Sequence, residues 1–106
     1  MSLREISILK FWLDQKPKLR FQIIVNAQYS FLKFLNECVM NALLGNIPGI
    51  AKSDLTKNTS WLTKIWLINK SKKKYERQQK LRSYFTSPSA FRVLKQIFPK
   101  LETLNG

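Results

Sequence analysis

The stretch of the sequence best suited to chemistry is the basic segment "NKSKKKYERQQKLRSYF", residues 69–85. It holds seven Lys or Arg residues and one acidic residue, Glu76. Ammonium and guanidinium groups bind phosphates, carboxylates and anionic lipid headgroups. The interleaved Tyr75 and Tyr84 could add exposed aromatic surface, on which nucleic-acid bases stack. We predict that this segment binds an acidic protein or a nucleic acid. The predicted site comprises Lys70, Lys72, Lys73, Lys74, Tyr75, Arg77, Lys80, Arg82 and Tyr84.

Composition alone does not decide the role of the basic segment. Most charge runs are solvated helix faces, and in that case the tyrosines would fasten the helix to the core. Contact with a phosphate backbone, with little reading of base sequence, is a second interpretation. An acidic protein or lipid surface is a third, and a nuclear-localisation segment around "KSKKK" is a fourth.

No arrangement of residues in the sequence indicates catalysis or metal binding. The chain has no histidine, the commonest general base and a usual zinc ligand. Its single cysteine, Cys38, falls in an apolar helical pattern, which favours a small buried side chain over a reactive thiol. The six acidic residues are scattered, and the three glycines form no phosphate-binding loop. We predict a non-enzymatic protein without catalytic residues, metal site or cofactor.

Length and composition favour a single domain over residues 1–106. The chain is 44% hydrophobic and 24% charged, which is typical of a globular fold with a modest core that a homodimer could extend. Its formal charge of +13 attracts polyanions, acidic protein faces and anionic membranes. One cysteine allows no internal disulfide and fits a reducing compartment. No apolar run approaches the ~20 residues of a membrane span, and the N-terminal stretch does not resemble a signal peptide.

The first half of the chain predicts two helices. Ser2 and Glu5 have capping-box spacing, so the first helix should begin there. Pro17 should interrupt it and lie in the first turn of a second helix that starts near Lys16. We expect this second helix to run unbroken to Gly45, which suits a left-handed C-terminal position. Its apolar arc is wider than a surface helix needs, so it should be central.

The second half predicts a loop and then further helices. Residues 45–58 should form a loop or a short helical turn, and a polar residue among 58–60 should cap the next helix. The basic segment should be helical, either continuing from the helix that contains Trp61 or restarting at Ser71.

Ser87 and Pro88 are typical of a helix start, with Ser at the cap and Pro at the first position. Pro99 should kink that last helix or begin a new one. The sequence thus predicts an all-α bundle of four to six helices with no strand. The aromatic residues expected to pack in its core are Trp12, Phe21, Phe31, Trp61, Trp66, Phe91 and Phe98.

The C-terminal half of the chain resembles a known family. The segments "NTSWLTKIWLI" and "SAFRVLKQIFPKLETL" resemble the C-terminal domain of paramyxovirus C proteins, in which a Trp-containing amphipathic helix precedes an apolar helix that runs into a proline. The apolar stretch "NAQYSFLKFLNECVMNALL" is similarly placed, so the resemblance covers residues 26–104. The matching residues are Trp61, Leu62, Ile65, Trp66, Val93, Leu94, Ile97, Phe98, Pro99 and Leu101.

The resemblance implies a viral accessory protein that antagonises interferon signalling and regulates viral RNA synthesis by protein–protein binding. The partners it implies are STAT-type signalling factors, the viral polymerase complex and ESCRT-associated factors, in the host-cell cytoplasm and also the nucleus. The segment between the two matching stretches is richer in lysine than the family pattern, so no interface residue is carried over.

Two other functions stand as alternatives. A basic helical module could bind nucleic acid through residues 70–82, with an affinity that falls steeply as salt rises. The same residues could make peripheral contact with an anionic membrane. The apolar half that an interfacial helix needs is weak in this segment, which ranks the membrane last.

Overall fold

The described part of the chain is a bundle of six helices without strands. The computed structural model describes residues 2–51 and 59–105. The helices are α1 (Leu3–Leu13), α2 (Pro17–Val25), α3 (Tyr29–Leu43), α4 (Thr59–Asn69), α5 (Lys74–Phe85) and α6 (Pro88–Asn105). The prediction of a small all-α fold with four to six helices is confirmed. None of these helices is long and apolar enough to cross a membrane.

The start of α1 follows the predicted capping box. Ser2 Oγ accepts a hydrogen bond from the Glu5 backbone N–H at 3.2 Å and donates one to the Glu5 carboxylate at 3.0 Å. The carboxylate also lies in the first turn, where the helix dipole favours negative charge. The sequence signal and the local structure therefore agree.

The end of α3 also follows prediction. Gly45 has a left-handed φ of 75°, a conformation that side chains rarely adopt. Its N–H reaches the Ala42 carbonyl at 3.1 Å, and the Asn46 N–H reaches the Asn41 carbonyl at 2.8 Å. These two bonds form a Schellman motif and satisfy carbonyls that the helix leaves open. The following loop is non-helical through residue 51, and the rest of the predicted loop, 52–58, lies outside the described residues.

The central helix predicted over residues 16–45 is wrong, because the structure contains two helices there. Residues 26–28 separate α2 from α3. Ala27 packs into the core at this break, and its carbonyl oxygen accepts a hydrogen bond from Arg82 Nη2 at 2.8 Å. A wide apolar arc is thus buried by two shorter helices that face different neighbours, rather than by one long central helix.

The core is centred on Trp12, which meets the rings of Phe31 and Phe91 edge-on, each at a centroid distance of 6.4 Å. Two aromatic residues assigned to the core are instead half-exposed, Phe21 at 53% and Trp66 at 49%. Phe21 lies on α2, so the break at residues 26–28 separates it from the apolar stripe that was predicted to continue along one helix. Trp66 lies among four consecutive apolar residues, which a helix cannot all bury on one face.

The basic segment forms a helix of its own. Residues 70–73 are non-helical and α5 begins at Lys74, so the second of the two predicted alternatives holds, with a start three residues beyond Ser71. The connection leaves α4 and α5 packed against each other. It also places several lysines outside regular helix.

The start of α6 agrees with prediction, and of the two outcomes predicted at Pro99 the start of a new helix does not occur. Ser87 Oγ accepts a hydrogen bond from the Ala90 N–H at 3.4 Å, and Pro88 is the first helical residue. The helix continues through Pro99 to Asn105, so no new helix begins there. Pro99 is exposed, and water can satisfy the carbonyl that lacks its helical donor.

Two asparagines join the middle of α3 to the end of α4. Asn36 is buried, and its Nδ2 donates to Asn69 Oδ1 at 2.8 Å, while Asn69 Nδ2 donates back to Asn36 Oδ1 at 2.9 Å. Asn69 Nδ2 also donates to the Ile65 carbonyl at 2.8 Å. Each amide thus has partners away from water, and the end of α4 is fixed against α3.

Removing Asn69 would leave the buried Asn36 amide without this partner, and removing Asn36 would leave the partly buried Asn69 with only its bond to the Ile65 carbonyl. We expect Asn36→Ala and Asn69→Ala each to lower the free energy of unfolding by about 1–3 kcal/mol, and the double variant to lose less than their sum. Urea unfolding followed by circular dichroism measures these losses. Asn41→Ala, at an exposed position of α3, is the control and should change little. Strictly additive losses would contradict the paired role.

Candidate functional site

Residues 70–73 fold back tightly onto α5. The Ser71 N–H donates to the Ile68 carbonyl at 3.1 Å, which extends the end of α4 by one turn-like bond. Arg77 then reaches back from α5, and its Nε and Nη2 both donate to the Ser71 carbonyl, at 3.3 and 2.8 Å. These hydrogen bonds tie the connection to both helices and leave Lys72 and Lys73 exposed.

Six of the nine predicted site residues are exposed. They are Lys70, Lys72, Lys73, Lys74, Tyr75 and Lys80. Lys73 is the N-cap of α5 and makes no side-chain capping bond, so the helix dipole adds positive potential at this end. Glu76, the acid within the basic segment, accepts a hydrogen bond from Ser71 Oγ at 3.4 Å. The exposed lysines thus form a strongly cationic surface.

Three of the predicted site residues, including the exposed Lys74, make contacts with other parts of the chain. Arg77 holds Ser71, and Arg82 reaches the Ala27 carbonyl from its partly buried position. Lys74 Nζ lies 4.7 Å above the centre of the Tyr29 ring. These groups add to the positive field, but their side chains hold α5 in place.

The prediction that Tyr84 contacts a partner is wrong. Tyr84 is 0% exposed and meets the ring of Phe85 edge-on at 5.0 Å. It follows Leu81 by three residues on the buried face of α5, so the helical period turns it inward. Burial raises the pKa of its phenol above the usual range.

Tyr75 is exposed, as predicted, but it does not share the flank of α5 that carries Lys80. Tyr75 is 71% exposed. Five residues separate it from Lys80, which is about 140° around an α-helix. It lies instead on the side of Arg82, toward the junction of α2 and α3. The lysines and this tyrosine therefore do not form one aromatic-basic face.

Sequence reasoning missed the contribution of α4. Trp66 is half-exposed, Leu67 is 54% exposed and Lys64 is exposed. Lys70 Nζ lies 3.4 Å from the centre of the Trp66 ring, so the basic segment and α4 share a surface. The available signals were the four consecutive apolar residues 65–68 and the spacing of four between Trp66 and Lys70.

A groove lies between the two helices. Its lining consists of Lys64, Leu67, Ile68, Lys80 and Ser83, and its volume is about 230 Å³. We call these residues the α4–α5 groove. Together with Trp66, Lys70, Lys72 and Lys73 they make up the α4–α5 surface, our candidate site. It combines exposed ammonium groups with exposed apolar side chains, which suits binding rather than bond chemistry.

Two further cavities have a different character. One of about 240 Å³ contains Trp12, Arg20 and Phe91 in its lining, and the Arg20 guanidinium stacks on the Phe91 ring at 3.6 Å. Its cation therefore already has an internal partner. Another, of about 400 Å³, is lined by apolar and small side chains with Glu5 as its charged group. Among these three cavities, the α4–α5 groove carries lysines on two helices.

Cys38 is buried in α3, as predicted. Desolvation by burial raises the pKa of its thiol to about 12, so the thiol is protonated at neutral pH. Among residues 2–51 and 59–105, no three His, Cys, Asp or Glu side chains come together as metal ligands would. Catalytic chemistry gains no support from these groups.

No family model, curated protein or solved structure matches this chain. The resemblance to C proteins therefore rests on the sequence pattern alone.

The buried Tyr84 hydroxyl makes no hydrogen bond within the described residues. Since an unpaired buried polar group costs about 1–3 kcal/mol, we expect Tyr84→Phe to leave the free energy of unfolding at pH 7 unchanged or raise it by about 1 kcal/mol. Chemical denaturation measures the change. Tyr75→Phe, at an exposed position, is the control. A loss of several kcal/mol in Tyr84→Phe would show that the hydroxyl is bonded.

The same residue predicts a pH dependence at the alkaline end. Because the pKa of Tyr84 is higher in the folded state, the folded protein keeps this proton where the unfolded chain loses it. Its stabilising contribution is complete below about pH 10, the usual pKa of a phenol, and falls as pH rises further. Unfolding free energies above pH 10 should therefore fall more steeply for the wild type than for Tyr84→Phe.

Proposed function

We propose that this chain is a non-enzymatic binding protein that recognises an acidic surface of a partner protein through its α4–α5 surface. One observation carries the proposal. Lys64 and Lys80, on two helices, line a groove with the exposed Leu67, and Lys70 lies over the ring of the neighbouring, half-exposed Trp66. Protein–protein interfaces combine such apolar contacts with charged and polar groups around them.

The two components have separate roles in binding. The formal charge of +13, concentrated locally at Lys70, Lys72 and Lys73, steers an acidic partner toward this surface over a distance limited by salt. At short range, burying Leu67 and Trp66 against the partner removes apolar surface from water and stabilises the complex. A phosphate backbone would be attracted by the lysine charges but would leave Leu67 and Trp66 exposed to water.

The surface is already ordered, which lowers the entropic cost of binding. Asn69 fixes the end of α4 through its bonds with Asn36, and Arg77 fixes the connection through the Ser71 carbonyl. Binding therefore orders mainly the lysine side chains rather than the backbone.

We extend the proposal, on the resemblance described above, to a viral accessory protein of the paramyxovirus C type. The support is the sequence pattern of residues 61–66 and 93–101. The partner would then be a STAT-type factor, the viral polymerase complex or an ESCRT-associated factor. Co-precipitation of the chain with each of these from nuclease-treated cell extract tests the extension, and failure with all three overturns it.

Nucleic-acid binding is the second candidate. The exposed Tyr75 near the lysines of the connection favours it, since bases stack on exposed aromatic rings. The position of Tyr75 on the flank away from Lys80 ranks it below protein binding.

A charge-reversal experiment tests the main proposal. The probes are a fluorescent poly-glutamate peptide and a single-stranded oligothymidylate of equal charge, each titrated by anisotropy at several salt concentrations. We expect the variant Lys72→Glu/Lys73→Glu/Lys80→Glu to bind the peptide at least about tenfold more weakly, with a shallower salt dependence, because attraction becomes repulsion.

The control variant is Lys10→Glu/Lys18→Glu/Lys100→Glu, which makes the same change in net charge at exposed positions of α1, α2 and α6. An equal loss in the control would mean that net charge, not the α4–α5 surface, determines binding. Undetectable peptide binding by the wild type at low salt would also overturn the proposal. Tighter binding to the oligonucleotide that weakens in Tyr75→Ala would favour the second candidate.

A further inference from the structure

The α4–α5 groove has an apolar floor between two basic walls. Leu67 and Ile68 provide the apolar lining, Lys64 stands on the α4 wall, and Lys80 stands on the α5 wall beside Ser83. Lys64 lies outside the basic segment, so the two walls bring together charges that are distant in sequence. The groove is therefore a feature of the fold, and the sequence run alone does not define it.

The size of the groove limits what it can hold. Its volume of about 230 Å³ lies below the roughly 300–1,000 Å³ of sites that enclose a whole small molecule or cofactor. It suits one large apolar side chain that projects from a partner. Leu67 is available for that contact, because more than half of its surface is exposed.

The charges on the walls specify what surrounds that side chain. An ammonium group on each side favours carboxylates on each side of the apolar residue, and it disfavours basic neighbours. We propose that the α4–α5 groove binds a large apolar side chain of the partner protein that is flanked on both sides by acidic residues. This inference rests on the proposed function and adds the local sequence that the partner must present.

The groove and the connection then act differently. Lys72 and Lys73 lie outside the groove lining and attract any polyanion. The groove discriminates, because poly-glutamate places no apolar group on Leu67. A partner with an apolar residue between acidic ones gains this contact in addition to the charge attraction.

Two labelled peptides test the proposal with the full chain. One is poly-glutamate, and the other is the same peptide with a central glutamate replaced by leucine. We expect the leucine peptide to bind the wild type about tenfold more tightly, although it carries one charge less, because its side chain is buried in the groove. Anisotropy at physiological salt measures the ratio of the two affinities.

Two variants locate the contact. Leu67→Ser removes the exposed apolar side chain, and Ser83→Phe fills the groove from the opposite wall. Both positions are exposed, so the fold should tolerate the changes, and circular dichroism checks this. In each variant we expect the two peptides to bind within about twofold of each other, because the gain from burying the side chain is lost. Leu3→Ser, an exposed leucine on α1, is the matched control and should keep the tenfold ratio.

The outcomes separate this inference from the proposed function. If the wild type binds neither peptide, the proposed function fails and the inference fails with it. If it binds both equally, acidic binding stands and the groove proposal is overturned. A preference for leucine that persists in both Leu67→Ser and Ser83→Phe also overturns it, since the apolar contact would then lie elsewhere.

Discussion

The reciprocal amide contact between Asn36 and Asn69 decides where α4 ends, and the candidate surface depends on that point. A buried amide, Asn36, and a partly buried one, Asn69, donate to each other and fit one register of α4 against α3, because a shift would leave donors and acceptors unpaired. A shift of one residue would also turn every side chain of α4 by about 100°. The outward positions of Trp66 and Leu67 therefore depend on the register that this contact fixes.

The basic residues of the segment divide by side-chain chemistry. Arg77 and Arg82 point to backbone carbonyls, where a planar guanidinium can donate to an acceptor in a partly buried setting. Most of the lysines stay in water, as suits a compact and strongly hydrated ammonium group. The arginines thus offset part of the repulsion that results from placing so many like charges in one segment. An arginine-to-lysine change would be conservative in charge but not in structure.

Local signals made the helix ends predictable, and long-range packing made the rest less so. Ser2, Gly45 and Ser87 act through their own backbone neighbours, so their roles can be read from spacing. The break at residues 26–28 depends on Ala27 and Arg82 meeting across 55 positions of the chain, which no local pattern records.

The candidate site contains one feature that local spacing predicts and one that depends on the packing of two helices. Tyr75 and Tyr84 are nine residues apart, or about two and a half turns, so helical geometry alone puts them on opposite sides of α5. That difference was available from the sequence. The groove was not, because Lys64 and Lys80 come together only when α4 packs on α5.

Trp66 differs from the other two tryptophans of the chain, Trp12 and Trp61, in being half-exposed beneath a lysine. Its indole fluorescence therefore responds to solvent and to dissolved quenchers, whereas the two buried indoles give a nearly constant background. The ammonium groups around it concentrate iodide and repel caesium, so the sign of the local potential can be read from which ion quenches better. The protein thus carries an intrinsic optical reporter at the surface where we expect its partner to bind.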